Sequence, residues 1–345
     1  MYEILCEDTY HEYNEFLSAL PFCSFLQTVM WADVKAQGGW TRDIIVSRDD
    51  SAKITAGMLV LSRKLPFSPF TFLYSPRGPL FLPGKYKAIN DLKQGLKELA
   101  KRKKSLVFKA DPAINARDAD FIGNAEKAGF EIIDTGKDFG GVQPKFVYIL
   151  NIKDKTPEDV FEKFHSKTRY NIRLSSRKGV TVRVGGYDDI PCFYEILKET
   201  AKRDNFAVRT PEYFRDMYKI MAPENLRLYI AELDGRIIAG TIAIYFKNTV
   251  YYLYGASSNQ NRNTMPNYLL QWEMIKWAIE KKCETYDFMG ISGDDDPSNP
   301  LYGLYKFKRG FSGETIEYIG ELEMVFNPFM YRIMNIIQKL RKKQG

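Results

Sequence analysis

Two histidines, His11 and His165, are all that 345 residues contain. That is too few for a histidine-rich metal site or an evident Ser-His-Asp triad. The four cysteines, Cys6, Cys23, Cys192 and Cys283, lie far apart with no C-x-x-C pair, which argues against a zinc knuckle or a disulfide framework. No apolar run approaches the ~18 residues of a membrane span. The N-terminus, MYEILCEDTYHEY, lacks the basic-then-apolar layout of a signal peptide. The expectation is an intracellular protein whose chemistry runs on Lys, Arg, Asp, Tyr or the substrate itself, with no metal and no cofactor.

What is present is clustered positive charge. The net charge is +7, and the cations gather at KRKK 101–104, KFHSKTRYNIRLSSRK 163–178, KFKR 306–309 and the tail KLRKKQG. Each cluster alone reads as a solvated face; several together favour a polyanionic partner such as a nucleic acid, a nucleotide-linked substrate or an acidic membrane face. The amphipathic end NPFMYRIMNIIQKLRKKQG suits either docking on the first half of the chain or contact with an anionic membrane.

The chain also repeats itself. DIIVSRDDSAKITAGMLVLSRK followed by FTFLYSPRGPLF matches RLYIAELDGRIIAGTIAIYFKN followed by VYYLYGASS. In each copy two β-rich runs flank a turn, Asp-Asp-Ser or Asp-Gly, and a third strand follows. Helical spacing comes next, in AINDLKQGLKELAKRKK and MPNYLLQWEMIKWAIEKK. A short apolar strand then carries an acid, Asp111 or Asp287. This predicts two tandem copies of one α/β (α+β) unit, residues 1–147 with 317–345 and residues 148–316, whose central strands resemble an acetyltransferase (GNAT-type) core. Two lobes enclosing a cleft, in a monomer, are the natural expectation. Neither SNQNRNTMPNYLL nor PGKYKAINDL has the glycine-rich loop with which such units bind acyl-CoA pyrophosphate on backbone amides. A CoA-dependent N-acyltransferase is therefore the lesser enzyme reading, and a non-catalytic RNA-binding module is the reading outside enzymes.

FLQTVMWADVKAQGGW, FHSKTRYNIRLSSRKGV, YLYGASS and LYKFKRGFSG, in that order, resemble the Fem family of non-ribosomal peptidyltransferases. Only VTVRVGGYDDIPCFYEILKETAKRDNF separates the second motif from Arg209, too short for the long helical arm of larger members, so the chain resembles the compact, FemX-like ones. The resemblance implies transfer of an amino acid from aminoacyl-tRNA to the stem-peptide amine of UDP-MurNAc-pentapeptide or of a lipid-linked precursor. The protein would then work in the cytoplasm, free or against the inner membrane face.

By that resemblance Lys308 in FKRGF serves the reacting end, and Lys35 and Arg209 bind the acceptor's phosphates. An Arg fork and a compact Lys charge both suit phosphate oxygens. Alternation in YGLYKFKRGFSG reads as a strand with Tyr305, Phe307, Arg309 and Phe311 on one face and Lys306 and Lys308 on the other. Phe307 and Phe311 would then limit hydration of Lys308; a surface lysine or a plain phosphate contact is the alternative. Tyr213 and Tyr254 offer hydroxyls to the acceptor, or pack in the core. Asp111 either orients or deprotonates the acceptor amine or caps a turn. Lys167, Arg169, Arg173, Lys306 and Arg309 are candidate tRNA phosphate contacts; for the first three the alternative is a basic interdomain helix paired with local acids.

Overall fold

Two sheets organise the chain in the computed structural model, which describes residues 1–66 and 68–342. One unit is Met1–Lys145 with the segment from Glu317 onward; the other is Phe146–Ile316. The first carries β1 (Tyr2–Leu5), α1 (Tyr10–Ala19), α2 (Val29–Ala36), β2 (Thr41–Arg48), β3 (Ile54–Lys64), β4 (Thr71–Ser75), β5 (Leu80–Phe81), α3 (Ile89–Lys103), β6 (Ser105–Ala110), α4 (Ala119–Lys127) and β7 (Glu131–Ile133). The second carries β8 (Phe146–Asn151), α5 (Pro157–Lys163), α6 (Ser166–Arg177), β9 (Thr181–Gly185), α7 (Ile190–Asp204), α8 (Pro211–Met221), β10 (Leu226–Leu233), β11 (Arg236–Phe246), β12 (Thr249–Ser257), α9 (Pro266–Glu280), β13 (Thr285–Gly290), α10 (Tyr302–Arg309) and β14 (Glu314–Glu317). The chain closes with β15 (Glu321–Val325) and α11 (Pro328–Lys342).

The repeated unit is β2–β3–β4–α3–β6 in the first half and β10–β11–β12–α9–β13 in the second. Antiparallel hairpins give way in each to one parallel pair, β4–β6 or β12–β13, bridged by the helix. The Asp-Gly turn forms because Asp234 and Gly235 both take positive φ, 51° and 74°, the twist a two-residue hairpin needs. Leu92, Leu96 and Leu99 fall at i, i+4 and i+7 of α3 and pack on Ile45, Met58 and Val60 of the first sheet. In the second unit α9 buries Leu270, Met274 and Trp277 against Tyr229, Ala243 and Tyr286.

Two expectations are corrected. Residues 302–309 form the helix α10, not a strand. Phe307, Lys308 and Phe311 fall at i, i+1 and i+4, and this helical spacing prevails over the apparent alternation because Phe307 and Phe311 pack on the core with Lys308 buried beside them. The second concerns TIEYIGELEMVF, residues 315–326, which reads as a single strand in the sequence and forms two. β14 joins the seven-stranded sheet β14-β8-β13-β12-β11-β10-β9, and β15 lies between β6 and β7 in the eight-stranded sheet. The break falls at Gly320, whose φ of 98° is open to glycine but strained for other residues.

α11 follows β15 in the first unit, where the Tyr331 hydroxyl donates to Glu323 Oε2 at 2.6 Å. Its Phe329, Ile333 and Ile336 are exposed. The side chains of the KLRKKQG cluster lie outside the described residues. No helix among the described residues is long and apolar enough to cross a membrane.

Candidate active site

The second unit holds a buried lysine at a break in its sheet. β12 and β13 pair in parallel only from Thr249–Thr285 to Tyr251–Asp287. Beyond that point Lys308 Nζ donates to the carbonyls of Phe288 and Gly290, both at 2.6 Å. β13 is bent there: Met289 has φ 61°, its N–H donates to Asp287 Oδ1 at 2.6 Å, and the register with β8 shifts between Asp287 and Gly290. Lys308 is 4% exposed, and its Nζ lies 5.7 Å from the Tyr252 ring centre. Burial pulls its pKa down to about 7, with Asp287 pulling the other way. An ammonium has three donors. With two engaged by carbonyls, a third remains for developing negative charge.

A bulge in β12 supplies the second feature. Ala243 pairs with Tyr252 and Ile242 with Tyr254, so β12 advances two residues while β11 advances one. Paired residues share a sheet face and neighbours alternate. Tyr252 therefore faces the α9 side of the sheet and Tyr254 the opposite side. A side chain at Gly255 would overlap the Tyr252 hydroxyl. Tyr254 packs edge-on against Phe214 at 5.1 Å, and Tyr213 hydrogen-bonds to it. Arg209 lies 6.0 Å from the Tyr213 ring centre. Burial pushes both phenols up, Tyr213 well above its ordinary value, while Arg209 pulls both down. Arg209, Tyr213 and Tyr254 thus form one exposed-to-half-buried group.

In the first unit Lys35 sits between two indoles, 5.7 Å from Trp31 and 6.0 Å from Trp40, and Arg63 lies 5.7 Å from Trp40. Asp111 is 3% exposed. Its Oδ2 accepts from the Tyr74 hydroxyl at 2.6 Å and its Oδ1 from the Arg77 N–H at 2.8 Å. Burial raises its pKa, with Arg77 opposing. Of the two roles expected for Asp111, these contacts are those of the turn clasp.

Phe307 packs at 4.9 Å from Tyr268 and 5.6 Å from Phe311, lining the apolar surround of α10. Lys306 and Arg309 are exposed on that helix, over Tyr302 and Tyr305 respectively, each at 5.8 Å. Lys167 is exposed at the start of α6. Arg169 is partly committed, since its Nη1 donates to the Glu162 and Phe164 carbonyls and so closes the end of α5. Arg173 is exposed, 5.2 Å from the Phe161 ring.

Sequence reasoning missed Tyr252 and Trp40. Simple alternation puts Tyr252 on the face of Tyr254, and no local signal marks the bulge that separates them. Trp40 was quoted in a motif, and its position beside Lys35 was the available clue. Among the described residues no group of three or more His, Cys, Asp or Glu could hold a metal ion.

The FemAB family model matches residues 9–236 and 234–339. Lipid II:glycine glycyltransferase of Staphylococcus aureus strain USA300 is 26% identical over 401 aligned positions, covering 96% of this chain and 94% of that protein. The alignment is longer than these 345 residues, so the relative has segments that this chain lacks. The crystal structure of FemX superposes with a TM-score of 0.86 at 24% identity, covering 96% of this chain and 99% of the other. A tandem GNAT protein from the clavulanic acid biosynthesis pathway superposes with a TM-score of 0.58 at 12% identity, covering 94% and 98%.

Proposed function

Because this chain belongs to the FemAB family, we propose that it is an aminoacyltransferase of peptidoglycan synthesis. It takes an amino acid from aminoacyl-tRNA and attaches it to the stem-peptide amine of a cell-wall precursor in the cytoplasm. The amine nitrogen attacks the ester carbonyl carbon, and the carbonyl electron pair moves onto oxygen. The tetrahedral species then collapses, forming the amide and expelling the 3′-oxygen of the RNA, which takes the proton that the amine gives up. An ester is already activated, so alignment and oxyanion stabilisation are the main requirements.

The observation that carries this reading is Lys308: a desolvated ammonium aimed by two carbonyls at the parted strands, with one donor to spare. A fixed cation in a dry site stabilises an oxyanion far better than one in water. Arg209 with Tyr213 and Tyr254, and separately Lys35, are the proposed cationic and hydroxyl contacts to the acceptor's phosphates.

The S. aureus relative is named for lipid II, and the exposed Phe329, Ile333 and Ile336 recur at one face of α11. Both favour a lipid-linked acceptor over a soluble one, with α11 touching the bilayer surface. The test is incubation with radiolabelled aminoacyl-tRNA and, in parallel, UDP-MurNAc-pentapeptide or the lipid-linked precursor. Label appearing in the precursor is expected. Consumption of acetyl-CoA instead, or retention of RNA without turnover, would overturn the proposal.

A further inference from the structure

The second unit has an open groove of about 860 Å³ between α5, α6 and α9 that the proposed chemistry does not use. Four cations line it, Arg169, Arg173, Arg177 and Lys276, against one carboxylate, Glu273. That carboxylate is already paired with Lys276 at 2.8 Å. The three arginines fall at i, i+4 and i+8, so one stripe of α6 faces the groove. Arg173 and Arg177 have no carboxylate partner among the described residues. Instead each guanidinium lies on an aromatic face, Arg173 at 5.2 Å from Phe161 and Arg177 at 5.7 Å from Tyr170. Stacking of this kind holds the planar fork in position while leaving its N–H groups for an anion. Tyr170 is 54% exposed, which leaves ring surface on which a base can stack.

We propose that this groove binds the RNA strand that leads to the aminoacyl ester, phosphates on Arg173 and Arg177 and a base on Tyr170. The inference rests on the aminoacyl-tRNA reading above. Basic side chains alternating with aromatic planes along a channel are what single-stranded nucleic acid requires. A concave, charge-lined channel cannot lie flat on a bilayer, so a lipid surface fits it less well. The groove also connects to the reacting end. α6 begins beside α10, with the His165 N–H donating to the Gly310 carbonyl at 3.0 Å and Phe164 packed 5.1 Å from Phe311. A strand lying along α6 therefore runs toward the helix that carries Lys308.

The test uses the full chain with Arg173→Gln/Arg177→Gln, and separately Tyr170→Ala, all at exposed positions. Binding of fluorescently labelled, deacylated tRNA is followed by anisotropy across a KCl series, with circular dichroism to check the fold. The double variant is expected to bind at least tenfold more weakly at low salt. Its slope of log K against log[KCl] should be shallower by ~1.4, for two lost single-strand phosphate contacts. Tyr170→Ala should weaken binding roughly tenfold with the slope unchanged. In transfer assays KM for aminoacyl-tRNA should rise while kcat and the acceptor KM hold. If wild type transfers from aminoacyl-tRNA and the double variant matches it in affinity and slope, the groove assignment is wrong and the function stands. If wild type neither binds tRNA nor transfers from it, both fall. Loss of sedimentation with phosphatidylglycerol vesicles, with tRNA binding intact, would hand the groove to the membrane and also overturn the proposal.

Discussion

The β4–β6 pair of the first unit and the β12–β13 pair of the second are the same step of one repeat, yet they end differently. The first stays paired from Thr71–Ser105 to Ser75–Ala110, and the acid that follows, Asp111, clasps Tyr74 and the Arg77 backbone. The second parts after Tyr251–Asp287, and Lys308 takes two of the carbonyls beyond the last pair. One copy uses its parallel pair to close a core. The other leaves a gap at the same point and fills it with a cation. Duplication supplies two equivalent sheet ends, and only the second is left open.

The largest effect should come from breaking the open end. Lys308→Met keeps an unbranched side chain one atom shorter and removes the charge, and transfer is expected to fall by ~10²–10³-fold in kcat. Thermal melting should still show a cooperative transition, because the apolar packing of Phe288 and Phe311 does not depend on the Lys308 charge. Near-full activity in a folded variant would remove Lys308 from the reaction.

Arg209→Ala tests the other face of β12. Losing a charge-assisted phosphate contact of about 1.5–3 kcal/mol should weaken acceptor binding by ~10–100-fold in calorimetry. Affinity that stays at the wild-type level would mean that the Arg209–Tyr213–Tyr254 group packs without binding substrate.

Asp111→Asn should act on the closed end as a stability change. Replacing a carboxylate that accepts two hydrogen bonds in the interior costs ~1–3 kcal/mol, read as a lowered denaturation midpoint with kcat little altered. A collapse of kcat at unchanged stability would give Asp111 a part in the chemistry and make the two ends more alike than their contacts suggest.

The last test is a pH dependence. The Lys308 pKa is lowered to about 7 in the folded chain from an ordinary 10.5. Between those values the unfolded chain binds more protons at this site. Its contribution to stability is therefore least favourable below about pH 7 and improves as pH rises toward 10.5. Urea titrations from pH 7 to 9.5 should show that rise for wild type minus Lys308→Met; a flat difference would mean that Lys308 is better solvated than its burial implies.

Much of this is legible in the sequence. Asp-Gly turns, two-residue alternation and the α3 leucine stripe are local signals, and they mark the duplicated unit because hairpins and amphipathic helices are specified by near neighbours. Motif resemblance singled out Lys308, Arg209 and Lys35. YGLYKFKRGFSG was misread as a strand because aromatics and cations at alternate positions mimic a β pattern over a few residues. The i, i+1, i+4 spacing of Phe307, Lys308 and Phe311 was the better guide.

The repeat, its charge clusters and its missing glycine-rich loop belong to the sequence alone, since composition and short-range spacing encode them. Tertiary structure decided that β12 bulges between Tyr252 and Tyr254, that β13 leaves its partner after Asp287, and that an ammonium fills the gap. Strand register and the burial of a charge depend on residues distant in the chain, from Ile242 to Lys308, and no local pattern records which of them will meet.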